Sequence, residues 1–443
     1  MRRLFALGVL AGGLTLGATG QTLSLEEALQ TALAQNFDIR IARQAEALAA
    51  NDAELGTAGL LPRVSLNGNG GRTVNQILRQ GNPAERPYPE RNNVANENFG
   101  ANLALSWTVF DGLQGPSFYR RFQLLLDNST LQTRLAAEQV VADVTNAYYA
   151  IVWQQEQLRL LEFTVEISEE RARLAQARKA VGSGSGLEAL QSAVDLNTDR
   201  SALVRQRAAY ERARVDLNEL LGRLPTATDI PSDTTIALDT TLVLGRLQAQ
   251  AESQNRTLAN LQQQLALNTE TGAQLAGVKL PSLNLVASYN FGSSLSDPFS
   301  RFFNTTALYS ETWGYNLGLQ ASWVIFDGFA NRRALRANRI QHETLQLQQE
   351  QAQLQVSADL TRAYIDYRNN MELVALEGQN TEVARQNADA ALERYRVGVS
   401  TPLELREAQV AFVDAQSRLL TARYQAKLAE TELLRLSGAL PAE

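Results

Sequence analysis

The sequence predicts an α+β chain made of two copies of one unit, in which a β-hairpin with an apolar side feeds a very long helical hairpin. Three observations predict it. The stretch Ser106-Trp107-Thr108-Val109-Phe110-Asp111-Gly112 recurs as Ser322-Trp323-Val324-Ile325-Phe326-Asp327-Gly328. Each copy closes a stretch of apolar–polar alternation, the period-two signature of a strand. Each is followed by a helix-period run, and the first, from about Pro116 to Ala180, would span roughly 100 Å at 1.5 Å per residue.

Composition sets the outer bounds. Among 443 residues 20% are charged, and beyond the N-terminus no run of 18 apolar residues offers a transmembrane helix. Cysteine is absent, which excludes disulfides, thiol catalysis and a lipid-modified N-terminal Cys. Arg2 and Arg3, the apolar run Leu4 to Leu16 and then Ala18-Thr19-Gly20 read as a secretory signal over residues 1–20, with a buried N-terminal helix as the alternative. The net charge is −6, and −8 once the two leader arginines are removed from the 41 cations set against 47 acids. That balance argues against a nucleic-acid partner, whose phosphates must be neutralised by cations.

The first repeat occupies residues 21–222. Ser24-Leu25-Glu26-Glu27 fits a capping box opening one helix that runs to about Gly59, where Pro62 ends the pattern. Val64, Leu66 and Gly68 alternate with Ser65, Asn67 and Asn69, predicting a strand over about 63–71. Residues 72–97, with Pro83, Pro87 and Pro89 in or near a polar stretch, read as a long exposed loop. The strand over about 99–110 carries the strongest signal: Phe99, Ala101, Leu103, Leu105, Trp107 and Val109 alternate with small or polar residues. An outer-membrane barrel strand has this pattern, apolar to lipid and polar to the lumen, and so does a half-buried strand of a soluble sheet. The helical hairpin 116–221 turns at Gly182-Ser183-Gly184-Ser185-Gly186 and stops at Gly222 before Pro225. No strand precedes that Gly-Ser run and no Lys follows it, so it reads as a turn and not a phosphate loop.

Residues 223–240 form a linker, and 241–438 repeat the first unit before a tail at 439–443. Residues 110–222 align with 326–438 without a gap at an offset of 216, and upstream the offset is 219, as in Asn36/Asn255 and Pro62/Pro281. The second strands fall at about 282–292 and 313–326, separated by a loop, and the second helical hairpin at 331–437. Finding the same alternation twice favours the lipid-facing reading.

Each chain then supplies four strands, which cannot close a barrel, and a bilayer does not tolerate open sheet edges. Two copies would give eight strands with little lumen; three give a twelve-stranded barrel wide enough for a channel. The long helices, rich in Gln, Arg, Glu and Asn, suit the wall of a helical barrel below it. A plain coiled-coil rod accounts for their length but not for the paired strands.

Leu61-Pro62-Arg63-Val64-Ser65-Leu66, Leu280-Pro281-Ser282-Leu283-Asn284-Leu285, the two Trp-x-x-Phe-Asp-Gly junctions, and Tyr395-Arg396-Val397-Gly398-Val399-Ser400-Thr401-Pro402-Leu403-Glu404-Leu405 with Ala408-Gln409 occur in one order along the chain. On these residues the whole mature chain resembles the TolC family of outer-membrane efflux and secretion ducts. The resemblance implies a homotrimer whose twelve-stranded β-barrel lies in the outer membrane, contacting lipid, and whose α-helical barrel crosses the periplasm. It further implies docking to a periplasmic adaptor (membrane fusion protein) and an inner-membrane RND or ABC transporter.

The same resemblance locates candidate sites. An acidic gate early in the returning helix would map to Glu404 and Glu407, which share a helix face, with Tyr395 as a locking or packing residue. Glu404 also fits a capping box with Thr401, as Glu188 does with Ser185, whereas Glu407 has no capping role and Arg406 beside it bears on the charge of the ring. Val181, Gly182, Ser183, Val397, Gly398 and Val399 form the helix–helix turns, which the resemblance makes adaptor contacts and turn geometry alone also explains. Trp107, Phe110, Gly112, Trp323, Phe326 and Gly328 should mark the membrane rim, where strand becomes helix.

No catalytic or cofactor site emerges. The single His342 lies mid-helix, and no His, Asp and Glu grouping has metal-ligand spacing. The expected function is a passive exit duct for small molecules. A type I protein-secretion channel and a structural envelope-spanning protein are the alternatives.

Overall fold

The computed structural model describes residues 22–79, 90–296 and 308–440. The signal segment 1–20, the prolines at 83, 87 and 89 and the last tail residues lie outside the described residues. The elements run β1 (Thr22–Leu23), α1 (Leu25–Gln35), α2 (Phe37–Asp52), β2 (Arg63–Arg79), β3 (Glu90–Phe110), α3 (Gln114–Ala180) and α4 (Gly186–Leu220). After them come β4 (Ile230–Pro231), α5 (Leu244–Gln254), α6 (Arg256–Gly277), β5 (Ser282–Ser296), β6 (Leu308–Ser322), α7 (Ala330–Arg396) and α8 (Pro402–Ser437). No described helix is long and apolar enough to cross a membrane.

The chain divides into two compact units, each drawing on both sequence repeats. One holds residues 45–130 and 260–350, and its centre is the antiparallel sheet β2-β3-β5-β6. The two hairpins share one register: Arg63 faces Ser106 and Ser282 faces Ser322, so the offsets of 219 and 216 hold strand by strand. Register also sorts the faces. Leu66, Leu103, Tyr289 and Tyr315 stand in one cross-strand row and Val64, Leu105, Ala287 and Leu317 in the next, all on the apolar side. The opposite side is polar: Asn102 donates to Asn290, and the Thr108 hydroxyl donates to Asn284 Oδ1 at 2.8 Å. A one-residue slip would reverse both faces, so the pattern itself holds the register.

Strand lengths correct the sequence reading. β2 reaches Arg79 and β3 starts at Glu90, so most of the expected loop 72–97 is paired strand. Backbone ladders need no apolar alternation, and Arg72 faces Glu97 with an ion pair at 3.4 Å. β5 likewise continues to Ser296. β6 runs from Leu308 and stops at Ser322, short of the expected 326, whereas β3 continues to Phe110. The reason is pairing: Phe110 faces Leu283 of β5 beyond a bulge, while β6 has a strand neighbour on one side.

The second unit holds residues up to 44, 131–259 and 351–443. Two of its apolar clusters are repeat-related: Ala28, Ala32, Val144 and Leu217 in one correspond to Leu247, Ala251, Leu360 and Leu433 in the other. Full burial of a side chain such as Leu433 contributes about 1.5–3 kcal/mol. The buried Tyr148 hydroxyl donates to the Leu23 carbonyl at 3.1 Å, and Tyr367 donates to the Asp239 carbonyl. Ser24 and Glu27 form the expected capping box, with both reciprocal bonds present.

The single helix expected from Ser24 to Gly59 is two helices broken at Asn36. Asn36 Oδ1 accepts from Asp38 N at 2.8 Å, capping α2, while its Nδ2 donates to the Leu220 carbonyl at 2.8 Å. Asn255 repeats both roles with Thr257 N at 3.0 Å and the Leu436 carbonyl at 2.9 Å. One amide thus starts one helix and satisfies the end of another.

Candidate functional site

The strand-to-helix junctions are built by three residues of each repeated motif. Trp107 Nε1 donates to the Leu60 carbonyl and Trp323 Nε1 to the Lys279 carbonyl, both at 3.0 Å. Leu60 and Lys279 immediately precede the repeated Leu-Pro pairs, so this bond ties the entry of each hairpin to its exit. Asp111 Oδ2 accepts from Gly115 N at 2.5 Å and Asp327 Oδ2 from Asn331 N at 2.8 Å, each capping the start of a long helix. Gly112 and Gly328 turn the chain at φ +75 and +64, and the next residues, Leu113 and Phe329, are also left-handed at φ 69 and 63. Two consecutive left-handed residues make the sharp change of direction, and only the first is glycine. Phe110 ends its strand, while Phe326 stacks edge-on to Phe329 at 5.3 Å.

The other candidate residues gather where α3 meets α4 and α7 meets α8. Both turns satisfy the last helical carbonyls in the same way. Ser183 N donates to the Arg178 carbonyl and Val399 N to the Arg394 carbonyl, each at 2.9 Å. Gly182 and Gly398 sit at φ +76 and +78 in open space, so positive φ alone requires glycine there. Val181, Val397 and Val399 project into solvent.

Behind these exposed turns lies a cluster of bonds around Tyr395 whose partners the sequence did not disclose. The Tyr395 side chain is fully buried; its hydroxyl donates to Glu188 Oε1 at 3.1 Å. The Arg178 guanidinium stacks over the Tyr395 ring at 4.6 Å and donates to the Tyr395 carbonyl at 3.1 Å. Burial, and then the Glu188 bond, hold the Tyr395 hydroxyl above the usual tyrosine range. Glu188 therefore serves Tyr395 and does not complete a capping box; Ser185 Oγ instead accepts from Leu187 N at 3.1 Å.

Glu404 departs from the expected box as well. Thr401 Oγ1 accepts from Glu404 N at 3.2 Å, but the Glu404 carboxylate takes the Ser400 hydroxyl at 2.7 Å. That hydrogen bond, chiefly, holds the Glu404 carboxyl below its ordinary range. Glu407 is exposed on the same side and, among the described residues, has no hydrogen-bond or ion-pair partner. Arg406 does not neutralise it: the guanidinium is spent on Asp199, with bonds of 2.8 and 2.9 Å. Asp199 also receives the Ser168 hydroxyl at 2.5 Å, and Arg171 pairs with Asp195 nearby. No sequence spacing announces the Arg406–Asp199 link, because it joins helices far apart in the chain.

Among the described residues no group of three His, Cys, Asp or Glu could hold a metal. His342 lies on α7 apart from any such group.

Comparisons with known proteins bear on the family and the fold. A family model described as outer membrane efflux protein matches residues 28–223 and 247–439. The chain is 27% identical over 425 residues to the pyoverdine export outer membrane protein OpmQ of Pseudomonas aeruginosa, covering 91% of this chain and 83% of that one. It is 25% identical over 438 residues to the probable efflux pump outer membrane protein TtgC of Pseudomonas putida, covering 94% and 83%. The fold matches the Campylobacter jejuni CmeC outer membrane channel with a TM-score of 0.77 at 16% identity, covering 94% of this chain and 85% of that one.

Proposed function

Because the chain belongs to the outer membrane efflux protein family, a family of passive outer-membrane channels and not enzymes, we propose that three copies close one duct that carries small molecules out of the periplasm. The single observation that carries this reading is the sheet β2-β3-β5-β6: one apolar face, one polar face, and an unpaired edge at β2 and at β6. Three such sheets joined edge to edge make a twelve-stranded wall with lipid outside and water inside.

The helical turns carrying Val181, Gly182, Ser183, Val397, Gly398 and Val399 are the adaptor-docking ends, and a periplasmic adaptor couples them to an inner-membrane RND or ABC pump. Glu407, with Glu404 beside it, lines the gate. Tyr395–Glu188 and Arg406–Asp199 hold α7 and α8 against α4 in the resting position. The junctions at Trp107, Phe110, Gly112, Trp323, Phe326 and Gly328 lie at the inner rim of the membrane, where indoles favour the interface.

Conductance of the purified protein in planar bilayers tests the duct. Cation-preferring channels of low open probability are expected. Glu407→Gln should reduce the cation preference while leaving thermal stability unchanged. Silence under every condition would leave only a structural envelope role. Export of a reporter protein, and not of small amphiphiles, from cells carrying the intact tripartite system would move the assignment to protein secretion.

A further inference from the structure

Resting on that three-copy reading, we propose that neighbouring copies meet along α2 and α7 through an apolar seam, with Phe37 on Leu354 and Leu48 on Ile340. This seam takes the place of the ion pairs that join α6 to α3 inside each chain.

The internal repeat supplies the template. α2 corresponds to α6 at an offset of 219, and α3 to α7 at 216. The common register of the two hairpins shows that these offsets hold in space. Within the chain α3 and α6 are neighbours: Arg256 Nε lies 2.5 Å from Glu138 Oε1, and Arg120 Nε 3.1 Å from Glu270 Oε1. The faces of α2 and α7 that correspond to this contact are left open. Phe37 is 61% exposed and Leu354 74%, whereas their counterparts Arg256 and Glu138 have side chains only 22% and 6% exposed. Leu48 is 63% exposed and Ile340 58%, while their counterparts Leu267 and Leu124 are partly covered.

The chemistry changes in a matched way. Arg256 and Glu138, a pair inside the chain, become Phe37 and Leu354, a pair between chains. Arg120 and Glu270 become Arg336 and Asn51, so neither ion pair recurs. Each seam is complementary to itself and not to the other. Docking α6 of one copy on α7 of another would set the Arg256 guanidinium against Leu354, and α2 on α3 would set Glu138 against Phe37. Either leaves a desolvated charge without its partner, which is strongly disfavoured. The ring order is thereby specified as well as stabilised.

The sheet follows the same template. Trp107 faces Leu285 and Phe110 faces Leu283, so Trp323 should face Leu66 of the next copy and Phe326 its Val64. That pairing would extend β6 to Phe326, the counterpart of the residue at which β3 ends.

The absence of cysteine makes the test clean. In the full-length protein, Phe37→Cys with Leu354→Cys treated with a short bismaleimide should give covalent dimers and trimers on denaturing gels. Arg256→Cys with Glu138→Cys should give intrachain product alone. Leu48→Cys with Ile340→Cys is a second reporter should the first pair fold poorly. Phe37→Arg should lower the trimer fraction at least tenfold, and adding Leu354→Glu should restore it. Trimers that persist without interchain crosslinks at both pairs, or a Phe37→Arg defect that Leu354→Glu does not rescue, overturn the seam and leave the duct standing. A wild-type protein that native mass spectrometry finds only as single chains overturns both.

Discussion

Gly112 and Gly328 occupy the same point of the same turn, yet their surroundings differ. A Cβ on Gly112 would meet the Gly277 carbonyl oxygen at 2.3 Å and Leu280 Cβ at 2.9 Å, whereas one on Gly328 would meet nothing within 4 Å. Both need the left-handed backbone. Only Gly112 is also walled in by its own chain, because the second repeat follows the first and packs on it. The difference separates what a turn requires from what a neighbour requires. It also shows where a neighbour belongs, since the residues corresponding to Gly277 and Leu280 are Ala58 and Leu61, at the far edge of the sheet.

The largest expected effect follows from this contrast. Gly112→Ala should destabilise the detergent-solubilised single chain by more than about 3 kcal/mol, since a backbone carbonyl must move as well as φ. Gly328→Ala should cost only the left-handed term, about 1–2 kcal/mol, in the same urea titration. Equal losses would remove the wall from the account. In the assembled protein Gly328→Ala should show a second defect, a lower trimer yield.

Next come the paired asparagines. Asn36→Ala and Asn255→Ala each remove a helix cap and a bond to a helix-terminal carbonyl, so each should cost about 1–2 kcal/mol. Here the repeats should behave alike, and a twofold disparity in the denaturation midpoint shift would show that their environments differ more than the bonds suggest.

The indoles are a smaller, matched pair. Trp107→Phe and Trp323→Phe keep the ring and lose the bond to Leu60 or Lys279, with about 0.5–1.5 kcal/mol expected from each by thermal melting.

The smallest effect is the pH response of the buried Tyr395 hydroxyl. Its hydroxyl is held above the ordinary tyrosine value of 10.0, so the folded state keeps the proton more tightly than the unfolded state. The stability it contributes is complete below that value and is lost as pH rises from it through the folded pKa. Tyr395→Phe should flatten the alkaline limb of the stability profile. An unchanged limb would show that other groups set it.

Much of the fold was legible because its signals are periodic. Alternation from Phe99 to Val109 located β3, and the Trp-x-x-Phe-Asp-Gly repeats located both junctions. The polar ends of β2 and β3 were missed because ladder pairing leaves no mark on polar side chains. The break at Asn36 was missed because an asparagine inside a helical pattern shows its purpose only when Leu220 arrives beside it. At the candidate gate, Glu404, Glu407 and Tyr395 were nameable from resemblance. Arg178 and Asp199 were not, since Tyr395 and Arg406, to which they bond, lie more than 200 residues away.

Sequence by itself determined the duplication, the two-faced strands, the long helices and the glycine turns, because each is written in local spacing or backbone need. Tertiary structure alone decided which acids are free. Glu188 goes to Tyr395 and Glu404 to Ser400, while Glu407 stays unpaired among the described residues. Likewise it alone showed that α6 and α3 join through buried charge while the matching faces of α2 and α7 are apolar and open. The reason is physical: burial and pairing are properties of a side chain's neighbours, and those neighbours come from distant parts of the chain.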